Sequence, residues 1–128
     1  MLERIRWLIE EVAQDIVGLD TALFFQAHPN VFDTATGIAM RMGRRGPEVA
    51  KALERLAEAG ILERYDLGAG RYRCYTLRRT DDVWSLLCRL SEMYLDNPDT
   101  RRQIIKMIVG RGRRRSASAD DEATAKGD

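Results

Sequence analysis

Leu2, Ile5, Ile9, Val12 and Ile16 recur at the spacing of one helix face, and Leu8 widens the stripe. Glu3, Arg6, Glu10 and Glu11 fill the other side. This pattern predicts an amphipathic helix from about Leu2 to Val17, with Gly18 as its stop. Asp20 or Thr21 is placed to cap a second helix carrying Leu23, Phe24 and Ala27. That helix ends before Pro29, because the residue preceding a proline is pushed out of the helical region. Residues 28–32 read as a loop, with Phe32 tucked under the next element.

Asp33 or Thr34 caps a short helix holding Ala35, Ile38, Ala39 and Met42. Gly43 suits the left-handed conformation of a tight turn between helices. Gly46 and Pro47 open a longer helix, Pro47 to Ala59, since proline at the first helical position sacrifices no hydrogen bond. Val49, Ala50, Leu53, Leu56 and Ala57 form its inward stripe; Glu48, Lys51, Ala52, Arg55 and Glu58 form its outward face. Gly60 closes it. A strand begins at Ile61-Leu62, residues 67–70 (LGAG) form a hairpin turn, and a return strand alternates Tyr72, Cys74 and Thr76 with Arg71, Arg73, Tyr75 and Leu77.

Thr80, Asp81 and Asp82 cap a further helix with the stripe Val83, Leu86, Leu87, Leu90 and Tyr94 and with Trp84 and Met93 on its shoulder. Asn97-Pro98 starts a last helix bearing Ile104, Ile105, Ile108 and Val109. Beyond Gly110 no large apolar residue remains, so residues 111–128 read as a disordered tail. The expected class is mainly α, or α+β with a small two-stranded wing. The expected organisation is one domain over 1–110: an N-terminal helix over 1–19, a core over 20–79 and C-terminal helices over 80–110.

Composition narrows the options. The 128 residues suffice for one real core. The longest apolar runs fall far short of a membrane span, and acids within the first helix pattern argue against a secretory signal. Two cysteines without close spacing disfavour a disulfide framework or a zinc site and fit a reducing cytoplasm. Charge adds more. Residues 41–79 hold ten basic and five acidic side chains, whereas residues 1–40 hold two and six. Positive charge is therefore concentrated on the middle of the chain, as phosphate binding requires.

The run from about Ala22 to Leu77 resembles the winged helix-turn-helix of bacterial transcriptional regulators of the MarR, ArsR and PadR types. The resemblance rests on the helix ending at Pro29, the TATGIAMRMG helix and turn, the RGPEVAKALERLAEAGIL helix and the ERYDLGAGRYRCYTL hairpin. It implies that the helix from Pro47 is the recognition helix and that double-stranded DNA is the partner. Arg44, Arg45, Glu48, Lys51, Ala52 and Arg55 then lie on or beside the reading face, where arginine can bridge the two acceptors of guanine. Thr34 and Thr36 at the preceding helix start are the expected backbone contacts, and Arg71 and Arg73 at the wing between residues 65 and 73 are expected to contact backbone or minor groove. Glu48, Glu54 and Glu58 make this surface mixed in sign.

Regulators of this kind often use flanking helices to form two-fold dimers on palindromic sites. Ile5, Ile9, Val12, Ile16, Leu87, Leu90, Tyr94, Ile104 and Ile108 are the candidate dimer residues; the bland alternative is that they cover the core of one chain. Trp84, Met93 and Tyr94 are candidates for an effector pocket, although no effector is identifiable, and at helical spacing such residues are more often core. The alternative function is a protein-docking adaptor, since fold does not fix function. The residues offer no catalytic constellation, no metal site and no cofactor motif. His28, the one histidine, reads as a capping or surface residue, and Cys88 as core.

Overall fold

The computed structural model describes residues 2–110, without the side chain of Leu2. Helix α1 (Leu2–Trp7) widens into π-helical turns at Leu8–Ala13 and is followed by α2 (Ile16–Ala27). Strand β1 (Phe32–Thr34) leads into α3 (Ala35–Met42), α4 (Gly46–Glu58), β2 (Leu62–Leu67) and β3 (Tyr72–Leu77). Helix α5 (Asp81–Ser91) continues as π-helical turns at Glu92–Asp96, and a last helix, α6, spans 98–110. The architecture is mainly α with a small antiparallel sheet: a winged helix-turn-helix with extra helices at both ends. The expected tail lies outside the described residues.

One buried cluster draws on every helix. Leu8, Leu19, Phe25, Ile38, Leu53, Leu56, Leu87 and Leu90 are fully enclosed, together with Ile5, Ile9, Ile104 and Ile108. A fully buried side chain such as Phe25 contributes about 2–3 kcal/mol. The outer helices are thus part of the core that supports the middle of the chain.

The first helix does not run to Val17. It breaks at Gln14, which takes φ 68°, and Asp15 caps α2 by accepting from the Gly18 N–H at 2.7 Å. Asp20 and Thr21 are inside α2; the Thr21 hydroxyl donates to the Val17 carbonyl. Gly18 is no stop. A methyl group there would sit 1.9 Å from the Ala13 carbonyl oxygen, so the missing side chain lets the start of α2 lie against the end of the preceding turns. At the other end, His28 N–H donates to the Phe24 carbonyl and the ring stacks beside Phe24.

The sheet has three strands, in the order β1-β3-β2, not two. Phe32 pairs with Thr76 and Thr34 with Cys74; on the other side Arg64 pairs with Tyr75 and Asp66 with Arg73. Phe32 is not tucked away. It is 49% exposed, with its ring 5.6 Å from that of Tyr65 on the far strand. The hairpin tip needs left-handed backbone at Gly68, Ala69 and Gly70 in succession.

Candidate nucleic-acid interface

The two middle helices are set by their ends. Thr34 caps α3 by accepting from the Gly37 N–H at 3.2 Å. Gly43, at φ 70°, turns the chain sharply, and the Arg44 N–H returns to the Ala39 carbonyl at 3.0 Å. Pro47 stands in the first turn of α4, and Gly60 at φ 82° closes its far end, where Ile61 N–H reaches the Leu56 carbonyl. Helix α4 packs against α2, α3, β2 and the π-helical turns before Gln14. Only a narrow strip faces outward.

Glu48, Lys51 and Glu58 occupy that strip and are exposed. Ala52 does not: its relative exposure is 0%, so it presents no surface to a ligand. Arg55 was expected outward as well, but its side chain is only 23% exposed. Its Nε donates to the Val12 carbonyl at 3.0 Å and its Nη2 to the Ala13 carbonyl at 2.9 Å, with Asp15 at 3.6 Å. Those two carbonyls would accept from Ile16 and Val17 in an unbroken helix. Arg55 therefore replaces helix bonds at the break and fastens α4 to the first helix.

Other expected cations are similarly engaged. Arg44 pairs with Asp20, and Arg41 with Asp33 at 3.5 Å. Arg73 meets Asp66 at 2.9 Å and Glu54 at 3.2 Å, and Arg64 meets Glu54 at 2.5 Å. Half of the ten basic side chains of residues 41–79 are ion-paired, which lowers the free charge well below what the sequence suggests. Arg45, Lys51, Arg71, Arg78 and Arg79 have no acidic partner among the described residues, and Arg79 donates to the Pro29 carbonyl and the Asn30 side chain instead. Arg45 precedes α4, Lys51 stands on its outward strip and Arg71 lies at the hairpin tip. Thr36 is exposed in the first turn of α3, whereas the Thr34 hydroxyl is occupied as the cap.

Glu54, absent from the expected site, is the hub between α4 and the wing. It accepts from Arg64 on β2 and from Arg73 and the Tyr75 hydroxyl on β3. Burial works to raise its pKa, but the hydrogen bonds from Tyr75 and Arg73 and the charges of Arg64 and Arg73 hold the carboxyl below its ordinary range. The Arg73 hydrogen bond also depresses Asp66. Burial and then the bond to Glu54 push the Tyr75 phenol up to about 12. The signal in the sequence was the register: Arg64, Asp66, Arg73 and Tyr75 share one face of the ribbon, and a carboxylate on α4 was needed to meet it.

The candidate dimer residues do not form an outer surface. Ile5, Ile9, Val12, Leu87, Leu90, Ile104 and Ile108 are buried in the chain's own core, while Ile16 and Tyr94 are half-buried against it. Each helix stripe is satisfied by the others, which periodicity alone could not distinguish from a stripe awaiting a second copy. Trp84 lines a cleft of about 300 Å³ with Pro29, Leu77, Arg78, Arg79 and Asp81. Cys88 is half-buried rather than enclosed. Among the described residues there is no cluster of histidine, cysteine or carboxylate side chains able to hold a metal, and no helix long and apolar enough to cross a membrane.

No protein-family model matches the chain, and no curated protein matches it significantly in sequence. Solved structures do match in fold. One is described as a possible transcriptional regulator from Methanosarcina mazei Go1: TM-score 0.52, 14% identity, covering 80% of this chain and 86% of that one. Another is MepR, a transcription regulator of the Staphylococcus aureus multidrug efflux pump MepA: TM-score 0.52, 17% identity, covering 96% and 90%. A mutant MepR from a multidrug-resistant S. aureus clinical isolate gives 0.51 and 19%, covering 99% and 88%. The chain shares the winged helix-turn-helix fold of these regulators over nearly its whole described length.

Proposed function

We propose that the chain is a DNA-binding transcriptional regulator that acts as a homodimer in the cytoplasm. Its duplex contacts come from α4 and the wing. The single observation carrying this reading is the placement of unpaired cations. Arg45, Lys51 and Arg71 stand at the start of α4, on its exposed strip and at the hairpin tip, within a fold shared with transcription regulators. Lys51 and Glu48 are the base-reading candidates; Arg45, Arg71 and Thr36 position phosphate. Ala52 and Arg55 support the helix from behind. A two-fold contact uses what the core leaves outward on the C-terminal helices, with Leu95 and Val109 exposed.

The test is selection of duplexes from a random pool at physiological salt, followed by Lys51→Ala and Arg71→Ala. A palindromic motif is expected. Lys51→Ala should relax preference at one position in each half-site, and Arg71→Ala should weaken all sequences alike. An empty selection would transfer the function to protein docking. One observation favours that second reading: Phe32, Tyr65, Leu67 and Tyr72 are exposed on the sheet face opposite the Glu54 cluster.

A further inference from the structure

Four charged side chains occupy one face of the wing and its junction with α4. Glu54 Oε2 accepts from Arg64 Nη1 at 2.5 Å, and Glu54 Oε1 accepts from Arg73 Nη1 at 3.2 Å and from the Tyr75 hydroxyl. Arg73 Nε donates separately to Asp66 Oδ1 at 2.9 Å. Two arginines and two carboxylates cancel. Arg64 and Arg73 therefore add no net positive charge to the strands in the free protein, Glu63 on β2 adds a negative one, and Arg71 alone leaves the hairpin with uncompensated positive charge on its return side. The cluster is not sealed: the side chains of Arg64, Arg73 and Glu54 are 38%, 48% and 34% exposed. A phosphate oxygen can reach either guanidinium, but only in competition with a carboxylate already in place.

We infer that Glu54 is a gating and positioning residue for duplex binding: it holds Arg64 and Arg73 against α4, so that phosphate must displace it to gain wing contacts. This rests on the duplex-binding reading above. Glu54 acts in two ways at once. Through Tyr75 and the two arginines it sets the wing against α4, because a single carboxylate on the helix bridges both strands. Through its charge it subtracts from the phosphate-facing potential and keeps nonspecific affinity low. A duplex whose geometry offers several contacts together can open the gate; an isolated phosphate cannot.

The salt dependence of binding separates these roles. Each phosphate neutralised releases condensed counterions, which gives a slope of log K against log salt of roughly −0.9 per contact. Glu54→Gln removes one negative charge and retains groups able to hydrogen-bond Tyr75. In the full chain, fluorescence anisotropy with a labelled mixed-sequence duplex, from roughly 0.05 to 0.3 M KCl, reads the slope. Glu54→Gln should steepen it by about one and tighten binding roughly eightfold near 0.1 M salt. Tyr75→Phe, which loosens the same junction without changing charge, should leave the slope alone. Asp66→Asn supplies an independent arm with the same sign if Glu54→Gln does not fold by circular dichroism. A folded Glu54→Gln that binds with the wild-type slope, or more weakly, overturns the gate while leaving duplex binding intact. Absence of salt-dependent binding in both wild type and variant overturns the duplex reading and the gate together.

Discussion

Gly18→Ala is the substitution on which local and tertiary effects disagree in sign. Gly18 is in the first turn of α2, and alanine is intrinsically about 1 kcal/mol better than glycine in a helix. The added methyl group, however, would lie 1.9 Å from the Ala13 carbonyl oxygen and 2.6 Å from its carbon. Both are backbone atoms, so no side chain can swing aside. Relief requires moving the turn at Gln14, where Asp15 caps α2 and Arg55 holds the Val12 and Ala13 carbonyls. Overpacking of this kind costs about 3 kcal/mol at the upper end of its usual range. The net loss is then about 2 kcal/mol, or a Tm lower by roughly 8 °C for a chain of this size. Thermal unfolding followed by far-ultraviolet circular dichroism measures it directly. Gly46→Ala is the matched control, since nothing lies within 4 Å of the position and its backbone is ordinary; it should be neutral or mildly stabilising. A Gly18→Ala protein that melts at or above the wild-type temperature would refute the close approach and the account of the helix break with it.

Arg55→Met keeps the aliphatic stem but leaves the Val12 and Ala13 carbonyls without their charged donor, a loss of about 1.5–3 kcal/mol. Calorimetry should show a lowered Tm, whereas Lys51→Ala should leave Tm unchanged; the reverse pattern would return Arg55 to the reading face. For Glu54, the folded pKa is depressed by its wing partners. Its stabilising contribution is therefore whole above the ordinary value of 4.5 and is lost as pH falls through the lowered folded value. Chemical denaturation across that acidic range should show a smaller loss of stability for Glu54→Gln than for wild type, and equal losses would contradict the ion-paired state.

The outward strip of α4 shows where the packed chain departs from what periodicity predicts. Periodicity placed Glu48, Lys51, Ala52 and Arg55 on one outward strip, and Lys51 and Glu48 are indeed exposed. But α4 is enclosed on several sides, by α2, α3, the sheet and the end of the first helix. A one-dimensional pattern separates apolar from polar faces; it does not report that a polar residue such as Arg55 is turned toward the Val12 and Ala13 carbonyls at the helix break. Ala52 was ambiguous for the opposite reason, being small enough for either side. The candidate dimer stripes show the same effect of packing. Each is a genuine buried face, and only the packed chain shows that its partner is internal.

Some features followed from local chemistry alone. Gly43 could supply a left-handed turn, Pro47 could begin a helix and Thr34 could cap one, whatever surrounded them. The alternation of Tyr72, Cys74 and Thr76 with Arg73, Tyr75 and Leu77 defined a two-faced strand. These local requirements, in order, made the winged helix legible. Strand β1 was not legible, because three residues become a strand only when β3 lies beside them. The break at Gln14 had one local contributor, the capping carboxylate of Asp15, but neither glycine nor proline stands there and the apolar stripe runs past it. Arg55, more than forty residues away, takes the carbonyls that would have continued the helix, and Gly18 lets the next one start against them. Charge divides in the same manner. Sequence determined that ten cations lie between residues 41 and 79; tertiary structure decided, through Asp15, Asp20, Asp33, Glu54 and Asp66, which of them remain free for another molecule.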